Sequence, residues 1–294
     1  MAPEAGGTLP ALSDLELTGQ SSKYSYDAEL AAVLPFHVKI PFDDIAEARR
    51  VEAEGLAEQL RARAELPADP TVVVENHVLR GPSGDYDLPV RTYTPAYRAT
   101  QLGALVFFHG GGYVLGNLDN EEPRCTHFAS KVNCVVVSPE YRLAPEHPFP
   151  AAVDDCYRTV CWVAEQAARL GIDDHRIAVG GISSGGGLAA AVSHRARDEK
   201  NPDLVLQLLL FPTLDCRLQT QSAQRFTDTP LWDSHSNRVM WDYYLADSDY
   251  PSWYAAPSLA ESFEGLPPAM LAVAEFDPLR DEALEYAKAL LQAD

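Results

Sequence analysis

Short, almost wholly apolar runs recur through the chain at Ala104 to Phe108, Cys134 to Ser138, Ile177 to Val179, Leu204 to Phe211 and Ala269 to Ala274. Runs of this length without polar alternation suit strands buried on both faces of a mostly parallel sheet. Stretches with helical spacing lie between them. The clearest is Ala151 to Leu170, where Val153, Cys156, Tyr157, Val160, Cys161 and Ala164 follow one side and Gly171 offers a stop. Upstream the pattern differs. Asp27 to Leu34 and Phe42 to Ala64 read as helices; in the second, Ile45, Ala48, Glu52 and Leu56 sit among Arg and Glu, so one side is heavily charged. Pro67 and Pro70 punctuate its exit. Thr71 to Leu79 and Leu88 to Thr94 then alternate like strands around Gly81-Pro82-Ser83-Gly84, which predicts an antiparallel hairpin. Residues 1 to 18 carry no such pattern and read as loosely ordered. Strands alternating with helices specify an α/β domain.

One stretch breaks this rhythm. Arg217 to Pro257 holds Trp232, Trp241 and Trp253 together with Tyr243, Tyr244, Tyr250 and Tyr254. An aromatic insertion between the last two strands either covers a pocket mouth, with the charged N-terminal helices beside it, or anchors a small satellite core. Both readings stay open.

Composition narrows the function class. The 294 residues suffice for a sizeable core, and 46% hydrophobic content is that of a globular protein. A net charge of −20 argues against nucleic acid, which needs a basic face, and against anionic membrane surfaces. Solubility is the plain reading of such acidity. No uncharged apolar run approaches the roughly 20 residues that span a bilayer, and Met1 to Gly19 lacks the basic start and apolar block of a signal peptide. Cys125, Cys134, Cys156, Cys161 and Cys216 include no C-x-x-C pair, so buried thiols of a reducing compartment are expected, with a cytoplasmic location. No metal or cofactor is implied: the glycine-rich stretches fit neither G-x-G-x-x-G nor the lysine-bearing phosphate loop.

Candidate chemistry sits at Gly181-Ile182-Ser183-Ser184-Gly185. It follows the apolar run ending at Gly180 and opens into the small-residue stretch Gly186 to Val192. Strand, sharp turn and helix around one serine lift a hydroxyl above the end of a sheet, which makes Ser183 the candidate nucleophile of an acyl-transfer enzyme. His109-Gly110-Gly111-Gly112-Tyr113 also follows a strand, and glycines let a backbone close on a developing oxyanion. Asp277 follows the last apolar run and Asp215 follows another, so both are candidate acids. Asp281 and Glu282 read as first-turn helix residues. Asp154-Asp155 and Asp173-Asp174 read as helix starts and solvated surface.

Four segments in order, His109 to Tyr113, Tyr141 to Ala152, Gly181 to Gly185 and Glu275 to Glu282, resemble the hormone-sensitive-lipase-like family of α/β-hydrolases, which are carboxylesterases and lipases. The resemblance runs from about Leu30 to the end. It implies an α/β-hydrolase fold, a mostly parallel sheet flanked by helices with a small helical cap. The implied division is residues 1–69 contributing to the cap, 70–216 the first part of the core, 217–257 a cap insertion and 258–294 the second part of the core. It implies an oxyanion hole from the amides of Gly111, Gly112 and Ser184, with Ser183 as nucleophile and, because the following Pro278-Leu279-Arg280-Asp281 matches the family, Asp277 and not Asp215 as acid. The Pro-rich Tyr141 to Ala152 loop would hold the glycine loop in place, and His109 would fix it by hydrogen bonds. The substrate would be a small to medium carboxylic ester.

The chain departs from that pattern twice. Ile182 stands where the family commonly has Asp before the nucleophile. The family's base is a histidine some thirty residues beyond the acid, after one further strand, and no histidine follows His235. The expectation is therefore a serine esterase type that is impaired as written, with its last strand missing. An open margin at Ala269 to Ala274 would promote self-association into a possible homo-oligomer. The alternatives are a ligand-binding protein on a hydrolase scaffold, as in plant gibberellin receptors, and a shortened product without activity.

Overall fold

The computed structural model describes residues 24–34, 37–65, 69–81, 84, 86–98, 100–246 and 251–293. Residues 1–18, Pro67, Tyr250 and the centre of the Gly81 to Gly84 turn, all singled out above, lie outside these. Seven strands and nine helices are present among the described residues. In chain order they are α1 (Ala28–Val33), α2 (Ile45–Ala64), β1 (Val72–Arg80), β2 (Asp87–Pro95), β3 (Leu102–Phe108), α3 (Leu118–Val132), β4 (Val135–Pro139), α4 (Ala151–Glu165) and α5 (Ala167–Leu170). Then follow β5 (Ile172–Ile182), α6 (Ser184–Glu199), β6 (Leu206–Leu210), α7 (Gln221–Arg225), α8 (Ser234–Leu245), β7 (Ala269–Ala272) and α9 (Arg280–Ala293).

The strands form one sheet in the order β1-β2-β4-β3-β5-β6-β7. β1 and β2 pair antiparallel, as the hairpin pattern predicts, and β2 joins β4 antiparallel. From β4 to β7 every pairing is parallel. The central strands bury both faces. Leu105, Phe107 and Val136 pack with Tyr93, Cys125 and Ala129 on the α3 side. Ala104, Val106, Phe108, Val137 and Val179 pack on the other side with Val153, Cys156 and Val160 of α4 and Leu188 to Val192 of α6. Each large side chain so buried contributes about 1.5–3 kcal/mol. Because β3, β5, β6 and β7 run parallel, the loops that leave them gather at one edge of the sheet.

Local sequence explains the element ends. Asp27 and Asp44 cap α1 and α2 by accepting the amides of Glu29 and Glu47. Gly171 ends α5 in the left-handed conformation at φ 70°. Three expectations need correction. The helix read as Ala151 to Leu170 breaks at Gln166, so its last turn is a separate element. Asp173 and Asp174 begin no helix; they lie in the first half of β5, which is longer than its apolar run. Asp155, unlike the exposed Asp174, is not solvated. It is fully buried and ion-paired to Arg142 at 2.9 Å, while the Tyr86 hydroxyl donates to it at 2.6 Å.

Candidate active site

Ser183 links β5 to α6 with φ 56° and ψ −121°, a left-handed backbone that non-glycine residues rarely adopt. Neighbouring packing holds it there. Its N–H donates to Leu210 O at 2.9 Å, and its carbonyl accepts the amides of Gly187 and Thr213, both at 3.1 Å. The bend is possible because Gly185 touches the adjacent strand end: a Cβ there would lie 2.1 Å from Phe108 O and 2.3 Å from His109 O. The serine remains partly exposed.

The glycine loop lies directly against this bend. A methyl placed on Gly110 would sit 3.5 Å from the Ser183 Cβ. Gly111 has φ 119°, and a Cβ on it would fall 2.2 Å from Leu115 O, so the loop closes only around glycine. Its carbonyl accepts the amides of Val114 and Leu115. The N–H groups of Gly111 and Gly112, and that of Ser184 at the start of α6, meet no acceptor among the described residues. Two amides without an acceptor thus lie on the loop that abuts the Ser183 bend, and a third on the residue that follows it.

The loop is braced from three directions. Beneath it, His109 stacks on Tyr141 with ring centroids 4.0 Å apart, and the Tyr141 hydroxyl donates to His109 O at 2.9 Å. Burial lowers the His109 pKa to about 4, against the weaker opposing pull of the Gly110 carbonyl. The ring is therefore neutral, and its Nδ1–H donates to Gly110 O at 2.7 Å. The proline-rich loop ties on through Ala144 N–H to Tyr113 O at 2.9 Å. The third brace was not read from the sequence: the charged side of α2. Arg49 donates from Nε to Val114 O at 3.1 Å and from Nη2 to Ala144 O at 3.0 Å, and forks onto Glu146. One turn on, Glu52 accepts the Gly116 amide at 2.9 Å. That face is polar because it hydrogen-bonds a loop backbone, a signal that resembles a solvated face in sequence.

The aromatic insertion anchors core: Trp232 and Tyr243 pack against the small cluster of Phe42, Ala48, Val114, Leu115 and Ala144, and others of its rings reach the main core. Tyr244 stacks on Tyr113 at 3.7 Å and joins Trp241 in the main core. Trp232 and Met240 also abut the glycine loop; a Cβ on Gly112 would meet them at 3.1 and 3.2 Å.

Asp277 lies in the segment between β7 and α9, at the same sheet edge as Ser183 but with β6 between their strands. One oxygen accepts the Leu279 amide at 2.9 Å. Burial raises its pKa to about 6, opposed by that amide and by Arg280. Phe276, just before it, packs against Tyr24 and Tyr26 at 5.2 and 5.4 Å. Asp215 is differently placed: Arg217 grips both its oxygens, with Nη2 at 2.6 Å. Glu282 is more than a first-turn charge. It is fully buried, its Oε1 accepts the Leu214 amide at 2.6 Å, and burial pushes its pKa well up, helped by Asp215 and Asp277.

None of the histidines is hydrogen-bonded to Ser183 or Asp277 among the described residues. His77 meets Thr92, His194 meets Tyr286 and His235 pairs with Asp43. His147 lies exposed in the proline-rich loop.

Residues 105–294 match the family described as the alpha/beta hydrolase fold. This chain is an α/β-hydrolase. Within that family it belongs to the hormone-sensitive-lipase-like branch that its motifs resemble. The hydrolase is 38% identical over 244 residues to Esterase LipI of Mycobacterium tuberculosis, covering 82% of this chain and 76% of that protein. It is 35% identical over 272 residues to an arylesterase of Saccharolobus solfataricus, covering 91% and 86%. Among solved structures it is similar to a bacterial heroin esterase, with TM-score 0.86 and 41% identity over 91% of this chain and 85% of that one. No helix of this hydrolase is long and apolar enough to cross a membrane, among the described residues.

Proposed function

We propose that the protein is a serine carboxylesterase type that hydrolyses small to medium carboxylic esters through an acyl-enzyme on Ser183. The observation that carries this reading is the strained bend at the partly exposed Ser183, packed against a glycine loop, with the amides of Gly111, Gly112 and Ser184 left without an acceptor among the described residues. The Ser183 oxygen attacks the ester carbonyl carbon, and the resulting oxyanion takes hydrogen bonds from those amides. Collapse breaks the bond to the alcohol oxygen, which leaves with the proton from Ser183. Water then attacks the acyl group, releasing the carboxylic acid and restoring the hydroxyl. The names of the relatives, an esterase, an arylesterase and a heroin esterase, support ester chemistry.

Asp277 is the proposed acid. Its buried carboxyl is held by a single amide, whereas both oxygens of Asp215 are engaged by Arg217. None of the eight histidines within these 294 residues is the proposed base, so for this stretch taken by itself proton removal from Ser183 falls to solvent or to an added base. Loss of a triad histidine costs about a millionfold in the subtilisin comparison, and turnover by these 294 residues is correspondingly slow. The same observation favours a second reading, a non-catalytic binding protein on a hydrolase scaffold.

Exogenous imidazole separates the two. Hydrolysis of a short-chain nitrophenyl ester is followed for the protein and for Ser183→Ala, with and without imidazole. Acceleration by imidazole that vanishes in Ser183→Ala is the expected result. Identical rates for the two proteins under both conditions would remove the esterase reading. A ligand that binds without turning over would then favour the scaffold reading.

A further inference from the structure

β1 forms one margin of the sheet. Its nine residues pair along their whole length with β2 and, among the described residues, with no other strand. An open margin presents a row of unpaired N–H and C=O groups, which folded proteins ordinarily blunt with lysine, proline, a bulge or a very short strand. The segment Val-Val-Val-Glu-Asn-His-Val-Leu-Arg has no lysine, proline or bulge and only two charges, Glu75 and Arg80: its register with β2 runs unbroken from Val72↔Pro95 to Arg80↔Asp87. Three of its valines are open to solvent instead, Val73 at 48%, Val74 at 43% and Val78 at 62%. β-Branched side chains gain most from packing against a cross-strand neighbour.

The strand is complementary to itself. Placed antiparallel to a second copy with Asn76 opposite the partner's Asn76, Val74 falls opposite the partner's Val78, and the reverse pair repeats it. On the other face Val73 meets the partner's Leu79 and Glu75 meets the partner's His77. His77 Nε2 lies 3.0 Å from Thr92 Oγ1, which leaves the second ring nitrogen for that carboxylate. Other registers lose this match. With Glu75 on the axis two carboxylates oppose each other; with His77 on the axis Val74 faces the partner's Arg80 and Glu75 faces the partner's Leu79. Like-charge and mismatched pairs of this kind destabilise a ladder.

We propose that the chain forms a two-fold homodimer through antiparallel β1–β1 pairing centred on Asn76, which joins two sheets into one. Such an interface is isologous and closes at two copies. It leaves the Ser183 edge clear, because β2, β4 and β3 separate β1 from β5. Each copy carries a net charge of −20, so added salt strengthens the pairing by screening.

Sedimentation from micromolar to about 0.1 mM protein at moderate salt is expected to show a concentration-dependent dimer. Val74→Lys with Val78→Lys, both at exposed positions, is expected to sediment as a monomer with an unchanged circular-dichroism spectrum. Met270→Lys on β7, at the other margin, is expected to dimerise as before. Asn76→Cys tests the register, since directly opposed Cα atoms in an antiparallel pair lie about 4.5–5.5 Å apart, within disulfide reach. It is expected to cross-link under mild oxidation above the background of the native cysteines, whereas Val78→Cys alone does not. The proposal is overturned by a monomer across the whole range, by a dimer that survives the lysine pair, by loss of the dimer in Met270→Lys, or by equal cross-linking of the two cysteine variants.

Discussion

Asp277→Asn turns the acid's environment into a measurable stability. In the unfolded chain this carboxyl ionises near 3.8; in the fold, burial moves it to about 6. Below the lower value both states are protonated and the aspartate costs the fold nothing. Between the two values unfolding releases a proton, so stability falls as pH rises; above about 6 the whole cost is present. A shift of roughly two units corresponds to about 3 kcal/mol, and partial exposure of the side chain reduces the expected effect to about 1–3 kcal/mol. Asparagine keeps the size and can accept the Leu279 amide through its carbonyl, but it never ionises. The stability of Asp277→Asn minus that of the parent should therefore grow by this amount between pH 4 and pH 7.5 and then level off. Urea unfolding followed by tryptophan fluorescence measures it, since four tryptophans are present. A difference that does not change with pH, or a variant less stable at pH 7.5 than at pH 4 relative to the parent, would refute the reasoning. Asp277 also helps raise the pKa of Glu282, so the variant relieves part of that cost too, in the same direction.

Gly185→Ala would push a methyl to 2.1 Å from Phe108 O and should destabilise by about 1–3 kcal/mol or more, read as a lowered thermal midpoint. Arg49→Met releases Val114 O and Ala144 O from α2; imidazole-assisted hydrolysis should fall by about 100-fold at saturating ester with little change in KM, because misplacement by an ångström is enough. An unaltered rate would mean the glycine loop holds its own shape. Trp232→Ala opens space beside Gly112, and the ratio of hydrolysis rates for long over short acyl nitrophenyl esters should rise. An unchanged ratio would place the acyl chain elsewhere.

What could be read from sequence was local. The bend at Ser183 is specified by its own neighbours, a strand behind, glycines on both sides and small residues ahead, so five residues suffice to find it. The parallel strands were legible because burial on both faces removes polar alternation. What escaped depended on partners distant in the chain. Asp155 reads as surface until Tyr86 and Arg142 arrive beside it. Glu282 reads as a helix-start charge, yet the backbone amide of Leu214, 68 residues away, turns it into a buried anchor. The charged side of α2 carries the same ambiguity, since an arginine that grips carbonyl oxygens and one that faces water share a sequence pattern. The hairpin strand β1 was found, but its standing as an open margin required the order of the sheet.

The torsion angles at residue 183 carry a further implication. A backbone at φ 56° and ψ −121° suits glycine, and any side chain there is held at a cost of about 1–3 kcal/mol. A protein that served only as a scaffold would lose nothing by relaxing that bend, whereas this one keeps a hydroxymethyl group on it. Ser183→Gly should therefore melt later than Ser183→Ala: the tension at that corner is a reserve of stability which the chain leaves unclaimed in order to present an oxygen.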